Sequence, residues 1–179
     1  MKDIIRIATR KSPLALKQAN IVKEMLRPTV NCEIVAMSSS GDTFSDKKFK
    51  EHGGKGLFLK ELEESLLAGQ SDIAVHSLKD LPTKMTNGLC VEAVVKRNDP
   101  RDAFLSHSNK SFLELEPQST IGTSSFRRHA QINLLRNDLK IVAMRGNIDT
   151  RISKLKNKEF DAIVLSLAGI QMLNLENEV

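Results

Sequence analysis

"IIRIATRKSPLALKQANIVKEMLRP", Ile4 to Pro28, spans one strand and one helix with their punctuation. Ile4–Arg10 alternates and is β-branched, which predicts a strand. Ser12 then supplies an N-cap hydroxyl, and Pro13 takes the first helical position, where its missing N–H costs nothing. Leu14, Leu16, Ala19, Val22 and Leu26 form an apolar face, and Pro28 stops the helix. A strand that feeds directly into an amphipathic helix is the unit of an α/β fold.

The same alternation continues. "CEIVAMSS" predicts a second strand, and the polar, Gly-rich stretch Gly41–Gly56 a long loop. "LFLKELEESLLAGQ" predicts a helix closed by Gly69. "SDIAVHS" predicts a buried strand running into the polar turn "LKDLP", and "LCVEAVVKR" another strand. "NDPRDAF" is rich in turn residues and is placed at a crossover between domains 1–97 and 98–179. Beyond it, "STIG" and "KIVAMRGN" predict strands, and "IDTRISKLKNKEF" a helix. "DAIVLSLAGIQML" predicts a buried strand leading into a further helix. The expected class is α/β with parallel sheets.

The chain of 179 residues is 40% hydrophobic and 27% charged, an ordinary globular composition. No apolar run of about 18 residues occurs, so no membrane span is expected. The N-terminal stretch is interrupted by Arg6, Arg10 and Lys11 and lacks a secretory pattern, so a cytoplasmic location is expected. Cys32 and Cys90 stand far apart in no metal-ligand spacing and read as free thiols, and no metal site is expected. The net charge of +5 is mild, and the chain has no Trp or Tyr and seven scattered Phe. Nucleic-acid binding, which calls for denser basic stripes and stacking platforms, is therefore not expected. A small anionic ligand suits the charge better.

Polar residues collect at the carboxyl ends of the predicted strands, where open α/β sheets bind ligands. In "GTSSFRR", Gly122 permits close approach, and Thr123, Ser124 and Ser125 place hydroxyls at a helix start. Arg127 and Arg128 follow with no acid beside them. Backbone N–H groups and the dipole at that end favour an anion. Ordinary surface arginines on a solvated helix are the alternative. "MRGNIDTR" repeats the arrangement with Arg145, Gly146 and Arg151, although Asp149 could pair with either arginine. In "HSLKDLP", Ser77, Lys79 and Asp80 follow a strand. Asp80 could hold developing positive charge or move a proton, or it could belong to a plain turn closed by Pro82. His76 reads as structural. "HGGKGLF", with Lys55 among three glycines, lacks the Ser or Thr of a nucleotide P-loop.

Together "RIATRKSPLAL", "GDTF…GGKGLFLKELEESLL", "DIAVHSLKDLP", "RNDPRDAF", "IGTSSFRRHAQI" and "RGNIDTRISKL…FDAIVLSLAGI" closely resemble the porphobilinogen deaminase (hydroxymethylbilane synthase) family, in order and from about Ile5 to about Leu175. The resemblance implies a transferase of haem biosynthesis that joins four porphobilinogens into hydroxymethylbilane and releases ammonia. It implies a dipyrromethane cofactor from which the chain grows, and pyrrole carboxylates as ligands. It implies two α/β domains of the type II periplasmic-binding-protein kind facing a cleft. Asp80 falls on the catalytic aspartate. Arg10, Ser12, Lys55, Ser77, Lys79, Arg127, Arg128, Arg145 and Arg151 fall on carboxylate-binding positions, Thr123, Ser124, Ser125 and Gly146 on neighbouring contacts, and Phe58 on the aromatic near the substrate. A monomer is implied for the full-length form. The family's third domain, with its cofactor-anchoring cysteine, has no counterpart here, and neither Cys32 nor Cys90 matches that cysteine. The chain on its own is thus expected to be a truncated and inactive enzyme. Met172 and Ser40 stand where many members carry arginine. The alternative is an anion-binding module of the periplasmic type without chemistry.

Overall fold

A computed structural model describes residues 3–38 and 59–178. Ser40, Lys55, Phe58 and the Gly41–Gly56 stretch lie outside the described residues. The chain divides into two compact units, Met1–Val95 and Lys96–Val179.

The first unit holds β1 (Ile4–Arg10), α1 (Pro13–Leu26), β2 (Asn31–Met37), α2 (Lys60–Leu67), β3 (Ile73–Ala74) and a 3-10 turn at Leu78–Asp80. Its sheet has the order β2-β1-β3, and both pairings are parallel. β1 is the central strand, and Ile7, Ala8 and Thr9 are fully buried in a row. A middle parallel strand is covered on both faces, which is why three successive residues lose solvent. The buried Thr9 hydroxyl donates to the Ala15 carbonyl at 3.2 Å. α1 begins as the sequence predicts: the Ser12 side chain caps Ala15 N–H, Pro13 sits in the first turn, and the helix ends before Pro28. α2 ends before Gly69, whose φ of 66° suits glycine.

One expectation is met only in part in this unit, and another fails. The predicted strand "SDIAVHS" is paired only at Ile73–Ala74. Leu89–Arg97 forms no strand, and Val91, Val94 and Val95 are exposed. Their β propensity describes a fit to a pleated, half-buried surface, and no sheet edge takes them among the described residues.

The second unit holds β4 (Asp102–Ser106), β5 (Thr120–Gly122), α3 (Phe126–Leu135), β6 (Lys140–Val142), α4 (Ile148–Lys156), β7 (Ala162–Ser166) and α5 (Leu167–Met172). The strand order is β4-β7-β5-β6. β7 runs through the middle and alternates between two cores. Ile163 and Leu165 pack with Ala103, Leu105, Met144, Ile152 and Ile170. Ala162 and Val164 pack with Ile121, Ile132 and Leu139. β4 pairs antiparallel to β7, so this sheet is mixed and not wholly parallel as expected. The strand was hidden because its first residues belong to the turn-rich "NDPRDAF". Its own burial still alternates, with Ala103 and Leu105 turned inward.

Candidate functional site

In the first unit, the carboxyl ends of the neighbouring parallel strands β1 and β3 place Arg10 and the turn after His76 on one edge of the sheet. Arg10 is the half-buried last residue of β1. The Ser12 hydroxyl accepts from Ala15 N–H at 3.4 Å. Ser77 Oγ accepts from the Gln18 amide at 3.0 Å, which ties α1 to the turn. Lys79 and Asp80 lie exposed in that turn, and Asp80 N–H donates to the Ser77 carbonyl at 3.0 Å. No ion pair joins Lys79 and Asp80 among the described residues. The Asp80 carboxylate thus stands in solvent on a short, backbone-bonded turn. His76 Nδ1 lies 3.2 Å from the Ser77 carbonyl, and its buried Nε2 has no hydrogen-bond partner.

In the second unit, β5 and β6 are parallel neighbours, so the loops that follow them emerge side by side. Ser124 joins those loops: its hydroxyl donates to the Met144 carbonyl at 3.0 Å and accepts from Met144 N–H at 3.1 Å. Ser125 is the N-cap of α3 and accepts from Arg128 N–H. Thr123 is buried, and its Oγ1 accepts from Ser125 N–H at 3.2 Å. The three hydroxyls read from sequence as anion contacts therefore have structural partners as well. Gly146 has φ 115°, and a Cβ there would meet Thr150 Cγ2 at 2.8 Å. Gly146→Ala is expected to destabilise this unit by about 1–3 kcal/mol, because strain and clash coincide at the start of α4. Urea unfolding of the variant checks it, and an unchanged midpoint would remove the steric account.

Arg128, Arg145 and Arg151 converge on these loops. Arg151 Nε donates to the Gly146 carbonyl at 2.7 Å. Burial first, and then the like charges of Arg128 and Arg145, make the Arg151 guanidinium harder to keep protonated than an exposed arginine. Asp149, which could have neutralised Arg145 or Arg151, makes no ion pair among the described residues. Arg151, partly desolvated and bonded to a backbone carbonyl rather than to an acid among the described residues, favours an incoming anion. The arrangement suits a group carrying several carboxylates, since arginine forks match carboxylates in two-point fashion.

The expectation that Arg127 and Arg128 have no acid at hand is wrong. Arg127 donates to Asp102 Oδ2 at 2.8 Å, and Arg128 donates to Asp102 Oδ1 at 2.7 Å. The acid lies 25 residues before Arg127 and arrives through the pairing of β4 with β7, which no local pattern reveals. Burial pushes the Asp102 carboxyl up, but hydrogen bonds and charge from Arg128 and Arg127 outweigh it and hold it below its ordinary value. The two neighbours also differ in environment. The Arg127 side chain is 59% exposed and the Arg128 side chain 12%. Arg128 also donates to the Val164 carbonyl at 2.9 Å, yet its buried Nε has no acceptor. The sequence reading does not single out Asp102, which lies within "RNDPRDAF". An acid at the outward-facing start of an alternating strand was the available signal.

The chain resembles known proteins over nearly its whole length. It is 49% identical over 180 residues to porphobilinogen deaminase from Rickettsia bellii strain OSU 85-389, and equally to that of strain RML369-C. Each alignment covers 99% of this chain and 60% of the relative, so the chain spans about three fifths of the length of these proteins. Among solved structures it is similar to a putative methionine-binding lipoprotein from Bacillus subtilis, with TM-score 0.48, 14% identity, and coverage of 97% of this chain and 74% of that one. Residues 5–179 match the family described as "Porphobilinogen deaminase, dipyromethane cofactor binding domain". That match takes in the Asp80 turn and all three converging arginines, and on it the chain belongs to the porphobilinogen deaminase family.

Proposed function

We propose that this chain carries the pyrrole-carboxylate site of a hydroxymethylbilane synthase, which joins four porphobilinogens and releases ammonia. The observation that carries the reading is the cluster of Arg128, Arg145 and Arg151, in which Arg128 keeps a buried Nε–H without an acceptor. Acetate and propionate groups on each pyrrole are the anions that such forks take. A dipyrromethane, when bound, would supply the growing end for each added pyrrole. Arg128, Arg145 and Arg151 would hold its carboxylates, with Thr123, Ser124, Ser125 and Gly146 shaping the loops around them. Arg127 would stand at the rim. In the first unit, Arg10, Ser12, Ser77 and Lys79, together with Lys55 and Phe58, would receive the incoming substrate. The Asp80 carboxylate would stabilise positive charge developing on pyrrole nitrogen and help protonate the departing amine.

Titration of the protein with a dipyrromethane bearing acetate and propionate side chains tests the reading. Saturable binding is expected at low ionic strength, weakening as salt screens the arginines. Absence of saturable binding at low salt would sink it.

A further inference from the structure

We propose that Asp102 is a positioning residue for the carboxylate site, holding Arg128 in the pose that leaves its Nε–H undonated for an incoming carboxylate. The inference rests on the reading of the arginine cluster just given.

Each Asp102 oxygen takes one arginine: Oδ1 receives Arg128 and Oδ2 receives Arg127. Arg128 is fixed at both terminal nitrogens, one on Asp102 at the start of β4 and the other on the Val164 carbonyl of β7. A guanidinium is planar, so fixing its two terminal nitrogens also fixes the direction of its Nε–H. That N–H is buried and meets no acceptor. Buried donors in folded proteins are almost always satisfied, and an orphan within a cationic cluster points to a ligand. Arg127 plays the other half of the clamp. It holds the second oxygen of Asp102 and is itself steadied by Gln131 Oε1 at 3.0 Å.

The chemistry of the carboxylate matters here, and not only its volume. An asparagine offers one oxygen and one NH2 group. In the pose of Asp102, where each oxygen meets a different arginine, it would accept from one of them and turn a donor toward the other. A glutamate keeps two acceptor oxygens. A different role for Asp102, as an internal anion that competes with the ligand, makes the opposite prediction, because its removal would then tighten binding.

The test compares wild type, Asp102→Asn and Asp102→Glu. Affinity for the acetate- and propionate-bearing dipyrromethane is measured by calorimetry, and the Arg128 Nε–H signal by nitrogen-edited NMR with and without the probe. Wild type is expected to bind saturably with movement of the Arg128 Nε–H signal. Asp102→Asn should bind about tenfold more weakly per folded molecule, with the signal already displaced before probe is added. Asp102→Glu should recover most of the affinity. If Asp102→Asn does not fold, Arg127→Gln on the exposed side of the clamp replaces it. Its probe-free Arg128 signal should shift, because Asp102 loses one of its two anchors. Equal or tighter binding by Asp102→Asn, or an unmoved Arg128 signal in Arg127→Gln, overturns the proposal. If wild type itself fails to bind the probe, the reading of the site falls and this proposal with it. If wild type binds and Asp102→Asn binds as well, only the role of Asp102 falls.

Discussion

Under the proposed function, Asp80→Asn in a form that spans the full length of the relatives and turns over porphobilinogen is expected to lower that turnover by about 100- to 10,000-fold, the range associated with losing a charged or proton-moving group, while pyrrole carboxylates still load. The carboxylate stands exposed on the 3-10 turn Leu78–Asp80, held by backbone bonds and by no side-chain partner of its own among the described residues. Asparagine keeps the shape of the turn and removes the charge. If that charge acts mainly while pyrrole nitrogen becomes cationic, the rate falls and binding does not. Single-turnover kinetics and a binding titration, on enzyme competent to turn over porphobilinogen, separate the two. A near-normal rate would remove Asp80 from the mechanism and favour an anion-binding role without chemistry.

Arg128→Leu is expected to weaken binding of the dipyrromethane probe by about 2–5 kcal/mol, the cost of stripping a buried carboxylate contact of its partner. It should also lower stability, since Arg128 joins Asp102 of β4 to the Val164 carbonyl of β7. Arg127→Leu should cost under about 1 kcal/mol in either measurement, because that side chain is 59% exposed. Parallel titrations and urea melts check the contrast. Equal losses from the two variants would show that both arginines reach the ligand.

Much of this protein was legible locally. Ser12 and Pro13 start α1, and Ser125 caps α3, because caps depend on residues within one turn of each other. β7 was legible as a strand because Ala162–Leu165 is an unbroken apolar run, which a strand buried on both faces requires. The family likeness was legible too, since its motifs lie in order along the chain. Residues at strand ends could be nominated for the site by type and position alone.

Other features became visible only in three dimensions. Leu89–Arg97 has the pattern of a strand, but a strand exists only where a neighbour offers its edge. β4 looked like a turn until its pairing with β7 was known. Ser124 looked like an anion contact, yet it also ties the loops after β5 and β6 together through Met144. Arg127 and Arg128 are adjacent in sequence, yet folding leaves the side chain of one at the surface and covers most of the other. Residue type and spacing determined which groups could meet an anion. Tertiary structure decided which of them are desolvated and which already have a partner, because desolvation and ion pairing depend on distances across the fold, and those are set by strand pairing between segments that share no local pattern.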